Sequence, residues 1–283
     1  MSSDVLAAIR QRIRDIGANW TADHTTVSEL PRSAKSGRLG LALGPEALQK
    51  RLFRFQAESR SPSPPFPQRF DWRSYKGYNW VSSVSDQGAC GSCVAFACVG
   101  ALESQLLINT GHLHALSEAF LFFCAGRDCD VGWDIEPALR FLQTQGVTDH
   151  RCFPYVISAR QQQCADRCAD WNKRLYGIQD FEMIASPDFV KNWISNRGPM
   201  VAAMDIYDDL YFYSRGVYSH VYGSNLGGHA VTVIGYDENS EHWICKNSWG
   251  IGWGETGFFR IQYGECGICV QYPMWGLKGT ITP

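Results

Sequence analysis

The sequence lacks the charge excess and the long apolar runs that would point to nucleic acid or to a membrane. Its 283 residues carry 26 Lys and Arg against 28 Asp and Glu, a formal net charge of −2. A charge so close to neutral gives no global field that would favour nucleic acid or an anionic membrane surface. The sequence contains no uninterrupted run of about 18 apolar residues, the length that a membrane-spanning helix needs. We therefore expect neither nucleic acid nor a membrane as a partner.

A signal peptide is not visible, and cysteine is missing from the first 89 residues. The opening "MSSDVLAAIRQRIRDIG" interrupts its apolar residues with charge, unlike the apolar centre of a signal peptide. Eleven cysteines follow. This number is typical of an oxidising compartment, and the odd count leaves at least one thiol unpaired. The sequence predicts secretion, or a lysosomal or vacuolar location reached by an oxidising route.

Internal repeats are also absent, and three zones follow one another along the chain. Residues 1–66 are basic, and four prolines between positions 62 and 67, at the end of this zone and the start of the next, forbid helix and predict an exposed linker. One short amphipathic helix is expected there, with one face formed by Val5, Leu6, Ile9, Ile13 and Ile16. Residues 67–175 read as helical, and residues 176–283 alternate β-branched and aromatic residues with glycine turns. Helices followed by strands predict an α+β protein with two packed lobes.

Two cysteines stand three positions apart in "QGACGSCVAF", a pattern with three interpretations. A zinc site would need the second pair, Cys266 and Cys269, which lies far beyond the spacing of about 15–20 residues in a zinc ribbon. A redox pair would need a βαβ unit, which the sequence does not predict. The third interpretation is a structural cysteine, Cys90, beside a reactive one, Cys93. We therefore expect no metal and no cofactor.

Two residues further along the chain could act with a reactive Cys93. Cys93 follows Ser92 at the start of a predicted helix that stops at Gly111, and the backbone N–H groups of a helix N-terminus lower the pKa of a thiol. "GGHAVTVIGY" offers His229 as a base, and "KNSWGIGWGETG" offers Asn247 to orient the imidazole.

The stretches "DQGACGSCVAFA", "GGHAVTVIGY" and "ICKNSWGIGWGETGFFRI" resemble the signatures of papain-like cysteine proteases over residues 69–283. The resemblance implies a papain-like two-lobed fold, with a helical left lobe, an antiparallel β-barrel-like right lobe and the active-site cleft between them. It implies that Cys93 is the nucleophile, His229 the general base and acid, and Asn247 the residue that orients His229. Gln87 would join the Cys93 N–H in the oxyanion hole. Activity would pass through a thiolate–imidazolium pair and an acyl-enzyme.

The sequence departs from the family pattern at Val94 and in the short segment between Cys152 and Cys164. Val94 stands where family members usually carry tryptophan, so we expect a cleft of altered shape. The "CFPY" and "CADRC" elements look most like the cathepsin B branch, but Cys152 and Cys164 enclose too few residues, and no histidine, for that branch's carboxylate-binding insert. The sequence therefore predicts an endopeptidase. The implied disulfides are Cys90–Cys129, Cys124–Cys164 and Cys152–Cys168, which leave free thiols at Cys93, Cys98, Cys245, Cys266 and Cys269.

The resemblance also assigns the substrate-binding surface. The residues it implies are Gly132, Trp133, Asp134, Ala203, Ala230, Trp249, Trp253 and Gln271. Among these, Gly132 would bond to the peptide backbone, and Trp249 would shield the His229–Asn247 hydrogen bond from water. The alanines and Gln271 would make a roomy S2 pocket without charge, which favours bulky apolar side chains.

Residues 1–66 resemble a short propeptide, whose segment from Leu39 to Gly44 would cross the cleft in the reverse direction to substrate. The alternative is a loose extension with no inhibitory contact. Expected partners are polypeptide substrates, the propeptide in cis and inhibitors of the cystatin type, with a monomeric chain. Two other functions stay open: a catalytically silent papain-like binding module, and a related Cys–His acyltransferase.

Overall fold

The computed structural model describes residues 2–43, 45–59 and 61–283. Besides one-turn 3₁₀ segments, the helices of this part of the chain are α1 (Ser2–Ile16), α2 (Arg32–Ser36), α3 (Pro45–Glu58), α4 (Cys93–Thr110), α5 (Glu118–Phe123), α6 (Ile135–Thr144) and α7 (Pro187–Asn196). Its strands are β1 (Trp20–Ala22), β2 (Arg69–Asp71), β3 (Gly177–Ile184), β4 (Met200–Tyr207), β5 (Tyr213–Tyr218), β6 (Asn225–Asp237), β7 (His242–Lys246), β8 (Phe258–Gln262) and β9 (Met274–Ile281). This order confirms the predicted α+β class.

The strands form one sheet in the order β1-β5-β8-β7-β6-β4-β9-β3, with β2 also paired to β6. The pairs are antiparallel, except that β5 runs parallel to β8, which the sequence analysis did not predict. Strand β6 lies between β4 and β7 and is buried on both faces over most of its length. This burial explains its run of Ala, Val, Thr and Ile residues, since a strand covered on both sides does not alternate with polar residues.

Helix α4 lies at the centre of a hydrophobic core that it shares with α5 and α6, and it has the predicted ends. Its residues from Cys93 to Leu106 are all buried, which explains why it is apolar on every face. Gly111 ends it in the left-handed conformation with φ 72°. By length and a mean hydropathy of 1.4 this helix could cross a membrane, but 78% of it is buried inside the protein.

The N-terminal zone is packed against the rest of the molecule. Helix α1 buries Leu6 and Ile9 as predicted, whereas Ile16 is 60% exposed because it is the last residue of the helix. Strand β1 adds to the sheet edge with Trp20 opposite Gly216. A Cβ at Gly216 would lie 2.5 Å from Trp20 Cα, so the glycine permits the close approach. Neither β1 nor α3 was expected from the sequence.

Three disulfides join the pairs that the resemblance implied. They are Cys90–Cys129, Cys124–Cys164 and Cys152–Cys168. The first fixes the loop before α4 to the loop before α6, and the other two hold the segment after α6. Free thiols remain, all of them buried, at Cys93, Cys98, Cys245, Cys266 and Cys269. Disulfides of this number fit an oxidising compartment.

Candidate active site

Cys93 is fully buried at the first position of α4. Ser92 takes the N-cap position but does not cap the helix with its side chain; its hydroxyl lies 2.9 Å from the Tyr155 hydroxyl instead. The first N–H groups of α4 are therefore not satisfied by Ser92, and the N–H groups of Cys93 and Val94 lower the pKa of the thiol. The N–H of Ala230 in β6 acts in the same direction, so strand β6 brings the residue after His229 against the thiol.

His229 is held by Asn247 in the arrangement that the sequence analysis expected. Its Nε2 lies 2.8 Å from Asn247 Oδ1, in a fully buried pair. Because an amide oxygen only accepts, Nε2 carries the proton and Nδ1 is the basic atom. The Arg38 backbone also lies against the imidazole, and its hydrogen bond acts to raise the pKa of His229. The Trp249 ring packs 5.0 Å from the imidazole ring, between centroids, and covers this pair from solvent.

Gln87 is oriented by two residues that the sequence analysis quoted but did not assign. The Ser248 hydroxyl donates to Gln87 Oε1 at 2.6 Å, which turns the amide nitrogen toward the cleft. The Tyr155 hydroxyl donates to the Gln87 carbonyl at 2.8 Å. Ser248 lies within "KNSWG" and Tyr155 within "CFPY", so the motifs contained both residues but not their contacts with Gln87.

Residues 38–42 lie in the cleft, over Cys93. Gln87 Nε2 donates to the Arg38 carbonyl at 2.9 Å, and to the Cys90 carbonyl at 2.7 Å. Leu41 pairs parallel to Trp133 on one wall and antiparallel to Gly228 on the other. The last position of the expected covering segment, Gly44, lies outside the described residues.

Two glycines allow this close fit. A Cβ on Gly40 would lie 1.9 Å from the Gly91 carbonyl oxygen, and one on Gly132 would lie 2.2 Å from the Gly40 carbonyl oxygen. Neither backbone atom can move aside as a side chain would. The Trp133 N–H donates to that Gly40 carbonyl at 2.7 Å. Gly132 thus allows the close approach, while the backbone hydrogen bonds to the segment are made by Trp133.

In this covered state burial disfavours the charged forms of Cys93 and His229, the thiolate and imidazolium that the sequence predicts. Burial raises the pKa of Cys93 to about 11, against the lowering effect of the backbone N–H groups. Burial likewise lowers the pKa of His229 to about 4, although the Asn247 hydrogen bond acts in the opposite direction. The physical reason is that the covering segment excludes water, which disfavours both charged forms.

Residues 66–274 match the family model described as papain family cysteine protease. The chain belongs to the papain family of cysteine proteases. It is 36% identical over 218 residues to cathepsin B-like CP3 of Giardia intestinalis, a match that covers 71% of this chain and 72% of that protein. It is 34% identical over 227 residues to pro-cathepsin H of Mus musculus, with 74% and 66% covered.

Solved structures of cathepsin precursors share the fold. The structure of procathepsin B S9 from Trypanosoma congolense matches with a TM-score of 0.79 and 20% identity, covering 96% of this chain and 97% of that chain. Digestive procathepsin L 3 of Tenebrio molitor matches with a TM-score of 0.75 and 24% identity, covering 98% and 88%. These coverages take in most of the N-terminal zone of the present protease.

The expected substrate-binding residues of this protease fall into two groups. Ala203 and Ala230 are paired between β4 and β6, and they share a hydrophobic cluster with Trp133, against which Leu41 packs. These residues form an apolar surface beside Leu41, and the S2 pocket remains a prediction for it.

The second group makes structural contacts. Asp134 is the N-cap of α6 and accepts from the Glu136 N–H at 3.4 Å. Trp253 is fully buried behind Trp249 and donates to the Leu210 carbonyl at 3.1 Å. Gln271 is exposed, and its amide donates to the Tyr272 hydroxyl at 3.1 Å. The part of the chain that the structure describes holds no cluster of His, Cys, Asp or Glu that could bind a metal.

A buried charged cluster lies next to Asn247. Lys246, next to Asn247, donates to the Ser82 hydroxyl at 2.7 Å and is close to two carboxylates, Glu103 and Glu118. Glu103 accepts from the Leu116 N–H at 2.8 Å. Burial, and then the charge of Glu103, raise the pKa of Glu118 to about 8.

We expect the substitution Glu118→Gln to flatten the pH dependence of stability. Because the pKa of Glu118 rises from 4.5 when unfolded to about 8 when folded, the folded state holds the extra proton. The free energy of unfolding should therefore fall as the pH rises through this window. Thermal unfolding of an inactive Cys93→Ala chain at pH 5 and pH 8 measures this slope. A slope unchanged by Glu118→Gln would contradict the assignment.

Proposed function

We propose that this protease is a cysteine endopeptidase whose residues 67–283 form the catalytic domain and whose residues 1–66 form an inhibitory propeptide and linker. The supporting observation is the pairing of residues 38–42 with both walls of the cleft over Cys93. In addition, the Arg38 carbonyl accepts the hydrogen bond from the Gln87 side-chain amide that the carbonyl of a scissile bond would need. The covering segment thus occupies the place of a substrate.

The mechanism begins when maturation removes the segment and water returns to the cleft. His229 Nδ1 then takes the Cys93 proton, and the thiolate attacks the scissile carbonyl carbon. The carbonyl oxygen gains negative charge, which the Gln87 amide and the Cys93 N–H stabilise. His229 gives the proton to the leaving amine, and afterwards activates a water molecule that hydrolyses the acyl-enzyme. Asn247 keeps the imidazole in the required tautomer throughout.

The endopeptidase assignment rests on the short segment between Cys152 and Cys164. The carbonyl of Ile157 in this segment lies against Gly88, where a Cβ would be only 2.6 Å away. Arg160 donates to the Ala89 carbonyl at 3.4 Å. The segment holds no histidine that could bind the carboxylate of a substrate C-terminus.

We further propose a monomer that is secreted or directed to a lysosome or vacuole, open to inhibitors of the cystatin type. The apolar surface around Leu41 supports a preference for bulky apolar side chains at S2.

Release of a dye from a peptide–aminomethylcoumarin substrate tests the proposed reaction. We expect turnover by the processed chain, and loss of turnover after treatment with a thiol-directed epoxide. A processed, folded chain without turnover would favour a silent binding module. Transfer of the acyl group to an added amine faster than hydrolysis would favour an acyltransferase.

A further inference from the structure

Arg38 places a buried cation beside the catalytic residues. Its side chain is 7% exposed, and its Nη1 lies 2.6 Å from Asp86 Oδ1. Asp86 is the residue before Gln87, and its own side chain is 33% exposed. A cation that is almost fully buried needs such a partner, because an unpaired buried charge is costly.

Asp86 lies on the side of the cleft from which the leaving group departs. Its backbone forms a bridge to Trp249, whose ring covers His229, and His229 must reach the leaving amine. The covering segment runs from Arg38 at Gln87 to Leu41 beside Trp133, so Arg38 and Leu41 occupy opposite arms of the cleft. Leu41 fills the arm assigned to S2, which leaves Arg38 in the arm beyond the scissile bond.

Removal of the segment would leave the Asp86 carboxylate partly buried and without its cation. The hydrogen bonds that the described residues make to this carboxylate come from Arg38 and from the Gly88 N–H, at 2.9 Å. Gly250 lies against the same carboxylate, where a Cβ would be 3.2 Å from Asp86 Oδ2. One neutral N–H does not balance the charge, so a cationic side chain from substrate would be favoured there.

We propose that Asp86 forms a cation-selecting subsite of the mature enzyme, which favours peptides with arginine at the first or second position after the scissile bond. The inference rests on the proposed peptidase function. Arg38 would then occupy, in the reverse chain direction, the subsite that a substrate arginine uses. A guanidinium fits a carboxylate better than an ammonium does, since its N–H groups are held in a planar fork.

Internally quenched peptides test this subsite on the processed enzyme. The peptides differ only in Arg or Gln at the first, and in a second set at the second, position after the scissile bond. We expect kcat/KM to be about tenfold higher with Arg at one of these positions, and the ratio to fall as salt is raised. Asp86→Asn should bring the Arg/Gln ratio close to one, and a ratio within one variant is independent of any change in overall rate.

The control Asp166→Asn removes the same charge from an exposed site, and it should leave the Arg/Gln ratio unchanged. Equal turnover of the Arg and Gln peptides by the unsubstituted enzyme would overturn the subsite. So would a ratio that survives Asp86→Asn, even if that variant binds a synthetic peptide of residues 28–43 more weakly. The aminomethylcoumarin substrate has no residue after its scissile bond. If the enzyme turns over this substrate but shows no arginine preference among the quenched peptides, the subsite alone is wrong. If it turns over no substrate at all, the proposed function is wrong.

Discussion

Substitution of Cys93 by alanine is expected to abolish peptide hydrolysis while the chain still folds. In the proposed mechanism this thiol supplies the sulfur of the acyl-enzyme, and no other described free thiol lies at the N-terminus of an α-helix. Loss of a nucleophile from a comparable hydrolytic site lowers kcat by about 10⁶-fold. The alanine removes one buried sulfur atom, which accepts only from backbone N–H groups, and it leaves the backbone of α4 unchanged, so the chain should still unfold cooperatively on heating. Dye release by the processed chain measures the effect.

Cys98→Ala is the matched control for this prediction. Cys98 lies in the same helix, is also fully buried, and has a pKa that burial raises above its ordinary value. It lies outside the proposed machinery, and its variant should therefore retain dye release. Hydrolysis by Cys93→Ala near the rate of the unsubstituted enzyme would show that the nucleophile has been assigned wrongly.

Substitution of Gly40 by alanine is expected to activate the uncut precursor. The added Cβ would lie 1.9 Å from the Gly91 carbonyl oxygen, far inside van der Waals contact. The segment would have to lift, which would break its hydrogen bond to Trp133 and return water to Cys93. Overpacking against backbone costs about 1–3 kcal/mol or more, so inhibition should weaken on the order of 100-fold. Dye release by the precursor, shown by mass spectrometry to be intact, measures this change.

Ala42→Ser serves as the control, because Ala42 is exposed and contributes its backbone N–H to Trp133 at 2.9 Å. The serine should leave the precursor latent. The precursor of Gly40→Ala should also alkylate faster at Cys93, since rehydration removes the main cause of the raised pKa. A Gly40→Ala precursor as latent as the unsubstituted one would contradict the inhibitory role of the segment.

The sequence was informative where the required signal is local. Ser92 and Gly111 marked the ends of α4, and the apolar run after His229 marked β6. Three short motifs carried the catalytic residue types together with their order along the chain. These features could be predicted because helix termination and strand burial leave a pattern within about ten to twenty neighbouring residues.

Contacts between distant residues were not predictable in the same way. Ser248 and Tyr155 stand in recognisable motifs, but no local pattern shows that their hydroxyls donate to Gln87, which is 161 and 68 positions away along the chain. The addition of β1 to the sheet joins Trp20 to Gly216, almost two hundred positions apart in the chain. For residues 1–66 the sequence predicts one helix and a segment crossing the cleft, but not β1, since a strand of three residues leaves too short a pattern to recognise.

The sequence alone determined which reactive residues this protein carries: a cysteine at the start of a helix, a histidine in a strand and an asparagine, each within a motif that resembles the papain family. Only the tertiary structure decided that burial disfavours the charged forms of Cys93 and His229, and that Arg38 lies beside Asp86. Charge state depends on water access, and water access depends on which distant segment covers the thiol. A sequence contains both partners of such a contact, but folding alone brings them together.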